Sequence, residues 1–249
     1  MGRIHVVMKK EDIDPSRWKA DSVAVVFDVL LATSTITSSL AHGALEVIPV
    51  LNEEEAKRVA EEMKRENPIV AGEYGGITID GFHPPNPLAL NSVVKDRPLI
   101  LSTTNGTVAT RRSEGASFVY LCSLLNVGAV AEHLYHNHQH GDLVLVCSGS
   151  ANAFCLEDYY GAGGLIQALM KLGEWSLSDA ARGALMIYRN ETYRAKEVLA
   201  ETRVGEMMAA YGLARDIEFV ANEDYFKVVP VFSKQSGSIK EVGQYESSR

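Results

Sequence analysis

Val23-Ala24-Val25-Val26-Phe27, followed by Asp28 and the hydroxyl-rich segment 33–42, is the stretch that decides the fold. Five consecutive apolar residues mark a strand buried on both faces. Segment 33–42 then has helical spacing. The same alternation runs outward from this unit. Residues 46–51 read as the next strand. Asn52 caps a following helix whose first turn holds Glu53, Glu54 and Glu55, where carboxylates favour the positive end of the dipole. That helix is expected to end near Asn67-Pro68. Residues 69–71, 99–102, 118–121 and 143–147 read as further strands. Between and after them, residues 106–112, 126–137 and 156–172 read as helices. This order implies an α/β fold, a mostly parallel sheet flanked by helices.

Two regions depart from the pattern. Segment 72–93 carries Gly75-Gly76, Pro84-Pro85 and Pro87, too many breakers for a helix. It predicts a short hairpin or extended insertion over one sheet edge. Beyond Gly173 the chain turns helical over 178–189 and 191–211, with Asn190 between the two and Gly212 as a C-cap. A last strand over 227–232 precedes a polar tail, from Ser233, expected to fray. The organisation expected is an α/β part over 1–172 carrying the site loops, with a smaller, mainly helical part over 173–249 packed on it.

The net charge of −8 across 249 residues, with no basic stripe, excludes nucleic acid as a partner class. The first apolar stretch is too short for a signal-peptide core, and no apolar run has membrane-spanning length. Cys122, Cys147 and Cys155 are odd in number and lack metal-ligand spacing. They read as reduced thiols of a cytoplasmic protein.

Ligands of open parallel sheets bind beyond the carboxyl ends of the strands. The residues there are unusually polar. They are Asp28 with Thr33, Ser34 and Thr35; Gly72-Glu73; Thr103-Thr104-Asn105-Gly106-Thr107; Ser123 with Asn126; and Ser148-Gly149-Ser150 leading to Glu157-Asp158. With parallel strands, all five turns share one edge. The Thr103–Thr107 turn suits an anion cradle, with hydroxyl donors and a helix start, although the same residues cap helices everywhere. Asp28, Glu73, Glu157 and Asp158 are hard oxygen ligands of the kind Mg²⁺ takes. Read blandly, they are caps, ion pairs and solvated surface. Carboxylates and a phosphate come together at a Coulomb cost unless a cation intervenes, which argues for a metal.

Other chemistries fail on spacing. No Arg stands six residues after any cysteine, no second Asp stands two places after Asp28, and no Walker-type loop is present. Gly161-Ala162-Gly163-Gly164 reads as close helix packing. His133, His136, His138 and His140 read as a solvated helix end. His83 is a weaker acid–base candidate in the Gly/Pro loop.

These residues, taken in order, resemble the 2-phosphosulfolactate phosphatase family of coenzyme M biosynthesis. The matching segments are Asp28-Val29-Leu30 through Thr35, Val47–Val50, Gly72-Glu73 with Asp80-Gly81-Phe82 and Asn86, Thr103–Thr107, Leu125-Asn126, Leu156-Glu157-Asp158, and Val229-Pro230-Val231. The resemblance implies a Mg²⁺-dependent phosphomonoester hydrolase. It would convert (2R)-2-phospho-3-sulfolactate to 3-sulfolactate and phosphate. Asp28, Glu73 and Asp158 would serve catalysis, and the same three with Glu157 would hold the metal. Thr33, Ser34, Thr103, Thr104, Asn105, Gly106, Thr107 and Asn126 would bind substrate. A homodimer is consistent with the resemblance. Leu31 and Tyr74 stand where related sequences often carry Arg, and Asn86-Pro87 shortens an Asn-Ser-Pro pattern; Arg111 and Arg112 are either compensation or exposed helix charges. A lyase or isomerase on another phosphorylated acid, or a non-catalytic binder of an anionic metabolite, remains an alternative.

Overall fold

A computed structural model of the chain describes residues 2–19, 21–190 and 194–246. The first half runs β1 (Arg3–Val7), β2 (Val23–Phe27), α1 (Ala32–Ala41), β3 (Val47–Val50), α2 (Glu53–Glu62), β4 (Ile69–Tyr74), β5 (Ile77–Thr78), α3 (Pro87–Leu90), β6 (Leu99–Ser102) and α4 (Gly106–Arg112). The second half runs β7 (Phe118–Cys122), α5 (Val127–His138), β8 (Asp142–Cys147), α6 (Leu156–Leu172), β9 (Ser176–Leu177), α7 (Asp179–Tyr188), α8 (Ala195–Glu201), α9 (Arg203–Ala210) and α10 (Ala214–Val220). It closes with β10 (Pro230–Ser233), β11 (Ser238–Glu241) and α11 (Val242–Glu246).

All eleven strands form one mixed sheet in the order β5-β4-β6-β3-β11-β10-β7-β2-β8-β1-β9. It is mostly parallel, in two blocks. β4, β6 and β3 run together, as do β7, β2, β8, β1 and β9. Between the blocks lies the antiparallel hairpin β10–β11, antiparallel also to β7 and β3. Three antiparallel steps reverse direction, so the two blocks point opposite ways. The expectation of one shared carboxyl edge is therefore corrected. Strand twist of about 20–25° per step turns β6 by about 100–125° relative to β2. A rotation of that size brings the two carboxyl edges toward one another, in keeping with the one cavity that Asp28 and Thr103 both line.

β2 is buried along its length because both its faces are covered. Val23, Val25 and Phe27 join the core under α5, α6 and α7, whereas Ala24 and Val26 join the core around α1 and α4. The α1/α4 core is shared by both blocks. Leu99 and Leu101 of β6 enter it, while Ile100 faces the opposite side under α2. Helix α1 is rich in Ser and Thr yet almost wholly buried, and several hydroxyls bond to backbone carbonyls at its start. Asn52 caps α2 through the Glu55 N–H at 2.9 Å.

Several local expectations change. Strand β1 is absent from the sequence reading because its alternation is short and only Ile4 is fully buried. The breaker-rich segment does form a hairpin, β4–β5, but also the single-turn helix α3. The predicted helix 191–211 begins outside the described residues. Its remainder divides at Thr202, which caps α9 through the Gly205 N–H. Helix α10 follows it unforeseen. The tail from Ser233 is structured over its described part, and residues 247–249 lie outside the described residues. It pairs as β11 in the middle of the sheet, with Ile239 fully buried against Val47 of β3. Its polar composition reads as a tail, but the joint between two opposed blocks requires an antiparallel pair there.

Replacing Ile239 by Ala is accordingly expected to lower the unfolding free energy by about 2–5 kcal/mol in urea denaturation. A change within about 0.5 kcal/mol, the range of surface substitutions, would show that the hairpin is not part of the core.

Candidate active site

A cavity of about 580 Å³ opens where the start of α1 meets the start of α4. The sequence dictates this meeting at one residue. A Cβ built on Gly106 would lie 2.6 Å from Ala32 Cβ and 2.7 Å from Asp28 Oδ2. Only a hydrogen fits, so Gly106 serves the approach of two loops to one another. The residues before it, Thr103, Thr104 and Asn105, line the cavity together with Asp28 and Glu73.

Asp28 sits at the end of β2, buried, with its Oδ1 accepting the Leu31 N–H at 2.7 Å. Behind it, Asp158 accepts the Val29 N–H through Oδ1 at 2.9 Å and the Gly149 N–H through Oδ2 at 3.0 Å. It thereby clamps the β2–α1 loop to the turn after β8. Glu157 is buried beside it. Burial raises the proton affinity of all three carboxyls. Asp28 is pushed up to about 6, with Glu73 and Glu157 adding repulsion. Asp158 is pushed well up by burial, then by Asp28 and Glu157. Glu157 is raised by burial, against bonds from Cys155 and Thr202. After burial, the strongest influences on the two aspartates are backbone N–H groups and other carboxylates.

Glu73 occupies the Thr103–Thr107 turn. Its Oε1 accepts the Thr104 N–H at 2.7 Å, and its Oε2 accepts the Thr104 hydroxyl at 3.1 Å and the Gly76 N–H at 2.7 Å. Two donors of the expected anion cradle, the N–H and the hydroxyl of Thr104, are thus already committed to a carboxylate of this chain. Asn105 is held differently. Lys10, buried, donates its Nζ to Asn105 Oδ1 at 2.9 Å and to the Ser148 carbonyl at 3.5 Å, and pairs with Glu11 at 3.2 Å. With its oxygen bound to the ammonium, the Asn105 amide has its Nδ2 donors left for the cavity.

Other expected site residues do not line the cavity. Thr33 and Ser34 are buried, and their hydroxyls donate to the carbonyls of Asp28 and Val29. The Thr107 hydroxyl donates to the Thr103 carbonyl at 2.8 Å. Asn126 accepts the Ser123 N–H and donates to the Val228 carbonyl, fastening the segment before β10. Gly106, Glu157 and Asp158 stand behind the lining. Arg112 donates to the Lys10 carbonyl, and Arg111 lies near Glu55 and Glu114. Tyr74 is largely exposed and off the cavity, whereas Leu31 lines it.

Three residues at the site were not among the expected site residues, although Asn86 stands in the matching family segments. Lys10 gave no signal, since burial of a lysine has no local pattern. Asn86 reads as a turn residue before Pro87, yet it lines the cavity with its Oδ1 buried and without a partner, while its Nδ2 donates to Asp216 at 2.9 Å. Arg203 opens α9 and lines the cavity with its guanidinium on the Ser150 carbonyl at 3.3 Å. The remaining motifs have structural roles. Gly163 and Gly164 admit Tyr188 of α7 against α6. His133 and His138 share the Tyr120 hydroxyl at 3.0 and 2.9 Å. Burial raises all three thiols, which disfavours a cysteine nucleophile.

The donor set fits Mg²⁺. Its groups are oxygens, and one of those on the lining, Asn86 Oδ1, is buried without a partner. Among the described residues no three His, Cys, Asp or Glu side chains form a metal-holding group by themselves. Mg²⁺ asks for less, being bound by one or two carboxylates with water and substrate phosphate. Among the described residues, no helix is long and apolar enough to cross a membrane.

The profile of the 2-phosphosulpholactate phosphatase family matches residues 7–235. A protein of Symbiobacterium thermophilum named as a probable 2-phosphosulfolactate phosphatase is 35% identical over 226 residues, covering 90% of this chain and 96% of that protein. Proteins with the same name from Clostridium acetobutylicum and Pseudothermotoga lettingae are 35% and 37% identical. They cover 93% and 84% of this chain, and 97% and 89% of their own lengths.

The buried carboxyls carry a consequence for stability. Asp28, Glu157 and Asp158 hold protons more tightly folded than unfolded. Their contribution to stability is full below the ordinary carboxylate pKa and is lost as pH rises through the folded values, about 6 for Asp28. Metal-free protein is expected to melt at a higher temperature at pH 5 than at pH 7, with the difference reduced in Asp28→Asn. A metal-free melting temperature that rises from pH 5 to pH 7 would contradict this.

Proposed function

The chain belongs to the 2-phosphosulfolactate phosphatase family, a family of phosphoric monoester hydrolases, and on that premise we propose that it hydrolyses (2R)-2-phospho-3-sulfolactate to 3-sulfolactate and phosphate with Mg²⁺ as cofactor. The observation that carries the reading is Asp28, a buried carboxylate crowded by Glu73 and Glu157, on the wall of a cavity that also presents hydroxyl, amide and guanidinium donors. Carboxylates of this kind beside a phosphate call for a cation. The three free, buried cysteines accord with a cytoplasmic setting.

Asp28 and Glu73 line the cavity and would hold the ion, with Glu157 and Asp158 buried behind them. When bound, Mg²⁺ supplies charge neutralisation at the phosphoryl oxygens. The chain's own groups do the rest. The Asn105 amide, fixed by Lys10, and the Arg203 guanidinium orient the phosphate. Asp158 fixes the backbone that carries Asp28, by accepting the N–H of its neighbour Val29. Asp28 accepts a hydrogen bond from the attacking water and takes its proton as the bond to phosphorus forms. The ester oxygen leaves from the opposite side and is protonated from solvent.

Phosphate release from 2-phospho-3-sulfolactate is therefore expected with Mg²⁺ and abolished by EDTA, and Asp28→Asn is expected to lower kcat by about 10²–10⁴-fold. Consumption of the ester without free phosphate would point to a lyase or isomerase. Binding without turnover, indifferent to Mg²⁺, would point to a binding protein.

A further inference from the structure

We propose that the cavity takes phosphorylated 2-hydroxy acids whose remaining substituent is hydrocarbon, and turns them over faster than the sulfonated ester, with Leu31, Met207 and Tyr211 setting that preference. This rests on the phosphatase reading above.

The cavity is two-sided. Asp28, Glu73 and the Thr103–Asn105 turn form its polar end. Across from them stands one face of α9 and the turn after it. Val204, Met207, Met208 and Tyr211 recur at helical spacing, and all four line the cavity. Leu31, at the N-cap of α1, and Ile77 of β5 extend this apolar wall. The two sides are close. Gly76 donates to the Glu73 carboxylate that also binds Thr104, and a Cβ built on Gly76 would lie 3.2 Å from Met207 Cε and 3.5 Å from Tyr211 Cε2. Hydrocarbon therefore begins about one residue away from the expected phosphate end.

Charge decides what that wall accepts. Among the described residues, Arg203 is the sole cationic side chain lining the cavity, and it faces a substrate with both a phosphate and a carboxylate to hold. Lys10 is turned to Asn105, Ser148 and Glu11 behind the polar end. A sulfonate laid on Met207 and Met208 would lose water to a surface that carries no cation, and the one side-chain donor of that wall is the neutral hydroxyl of Tyr211. An alkyl group in its place buries apolar area with no such loss, and the flexible thioethers of Met207 and Met208 adapt to a branched chain.

The test compares kcat/KM of the full chain, with Mg²⁺, for 2-phospho-3-sulfolactate and for the phosphate ester of 2-hydroxy-4-methylpentanoate. The branched ester is expected to exceed the sulfonated one by about tenfold or more. Met207→Arg, and Tyr211→Lys at a more exposed position, are each expected to shift the ratio toward the sulfonated ester. A wild-type ratio of one or less would overturn the apolar subsite while leaving the phosphatase reading intact. An unchanged ratio in both variants would overturn its assignment to these side chains. No phosphate from either ester would refute the phosphatase reading, and this inference with it.

Discussion

The site depends on the approach of two backbones at Gly106. Helix α1 follows β2 and helix α4 follows β6, and these strands belong to blocks of the sheet that run in opposite directions. The helix starts meet where Gly106 lies against Ala32 and Asp28, with no room for a Cβ. Small side chains along α1 keep that packing tight, and the buried hydroxyls of Thr33, Ser34 and Thr35 bond to nearby carbonyls instead of to solvent. The hairpin β10–β11 is the other half of the constraint. By joining the blocks in antiparallel fashion at the sheet centre, it sets the reversal that the accumulated twist must then compensate.

What this approach encloses is an imbalance of charge. Asp28, Glu157 and Asp158 are buried together, and folding holds them there despite their raised proton affinity. Asp158 has a mechanical role, since its two oxygens tie the loop after β2 to the turn after β8. Glu73 similarly ties the β4–β5 hairpin to the turn before α4. Asp28 is thus the carboxylate left on the cavity wall with its surroundings fixed by others. A marginally stable chain keeps such an arrangement only where local strain serves a site.

Much of this was legible in the residues. The run Val23–Phe27 is a doubly buried strand because apolar side chains on both faces leave no alternation, and Asn52 with three following glutamates is a helix start by capping chemistry alone. The Thr103–Asn105 turn and Asp28 could be placed together because both follow strands. The direction of the blocks was not legible. It is set by pairing between residues far apart in sequence, and the decisive strand, Ser238–Glu241, has the composition of a loose tail. Lys10 was hidden because its burial comes from the turns around Asn105 and Ser148, and Asn86 because a residue before proline looks like punctuation. Thr33, Ser34 and Asn126 stand in the right segments, but their polar atoms are bonded to the chain itself.

Asp28 is buried with Glu73 and Glu157 as charged neighbours, which the proposed Mg²⁺ would neutralise. Calorimetric titration of the metal-free protein with Mg²⁺ in buffers of different ionisation enthalpy measures the protons exchanged on binding. With Asp28 titrating near pH 6, Mg²⁺ is predicted to bind with proton release at pH 6, with little release at pH 8, and with a loss of that difference in Asp28→Asn. Binding with no proton release at pH 6, or a release unchanged in Asp28→Asn, would contradict the account.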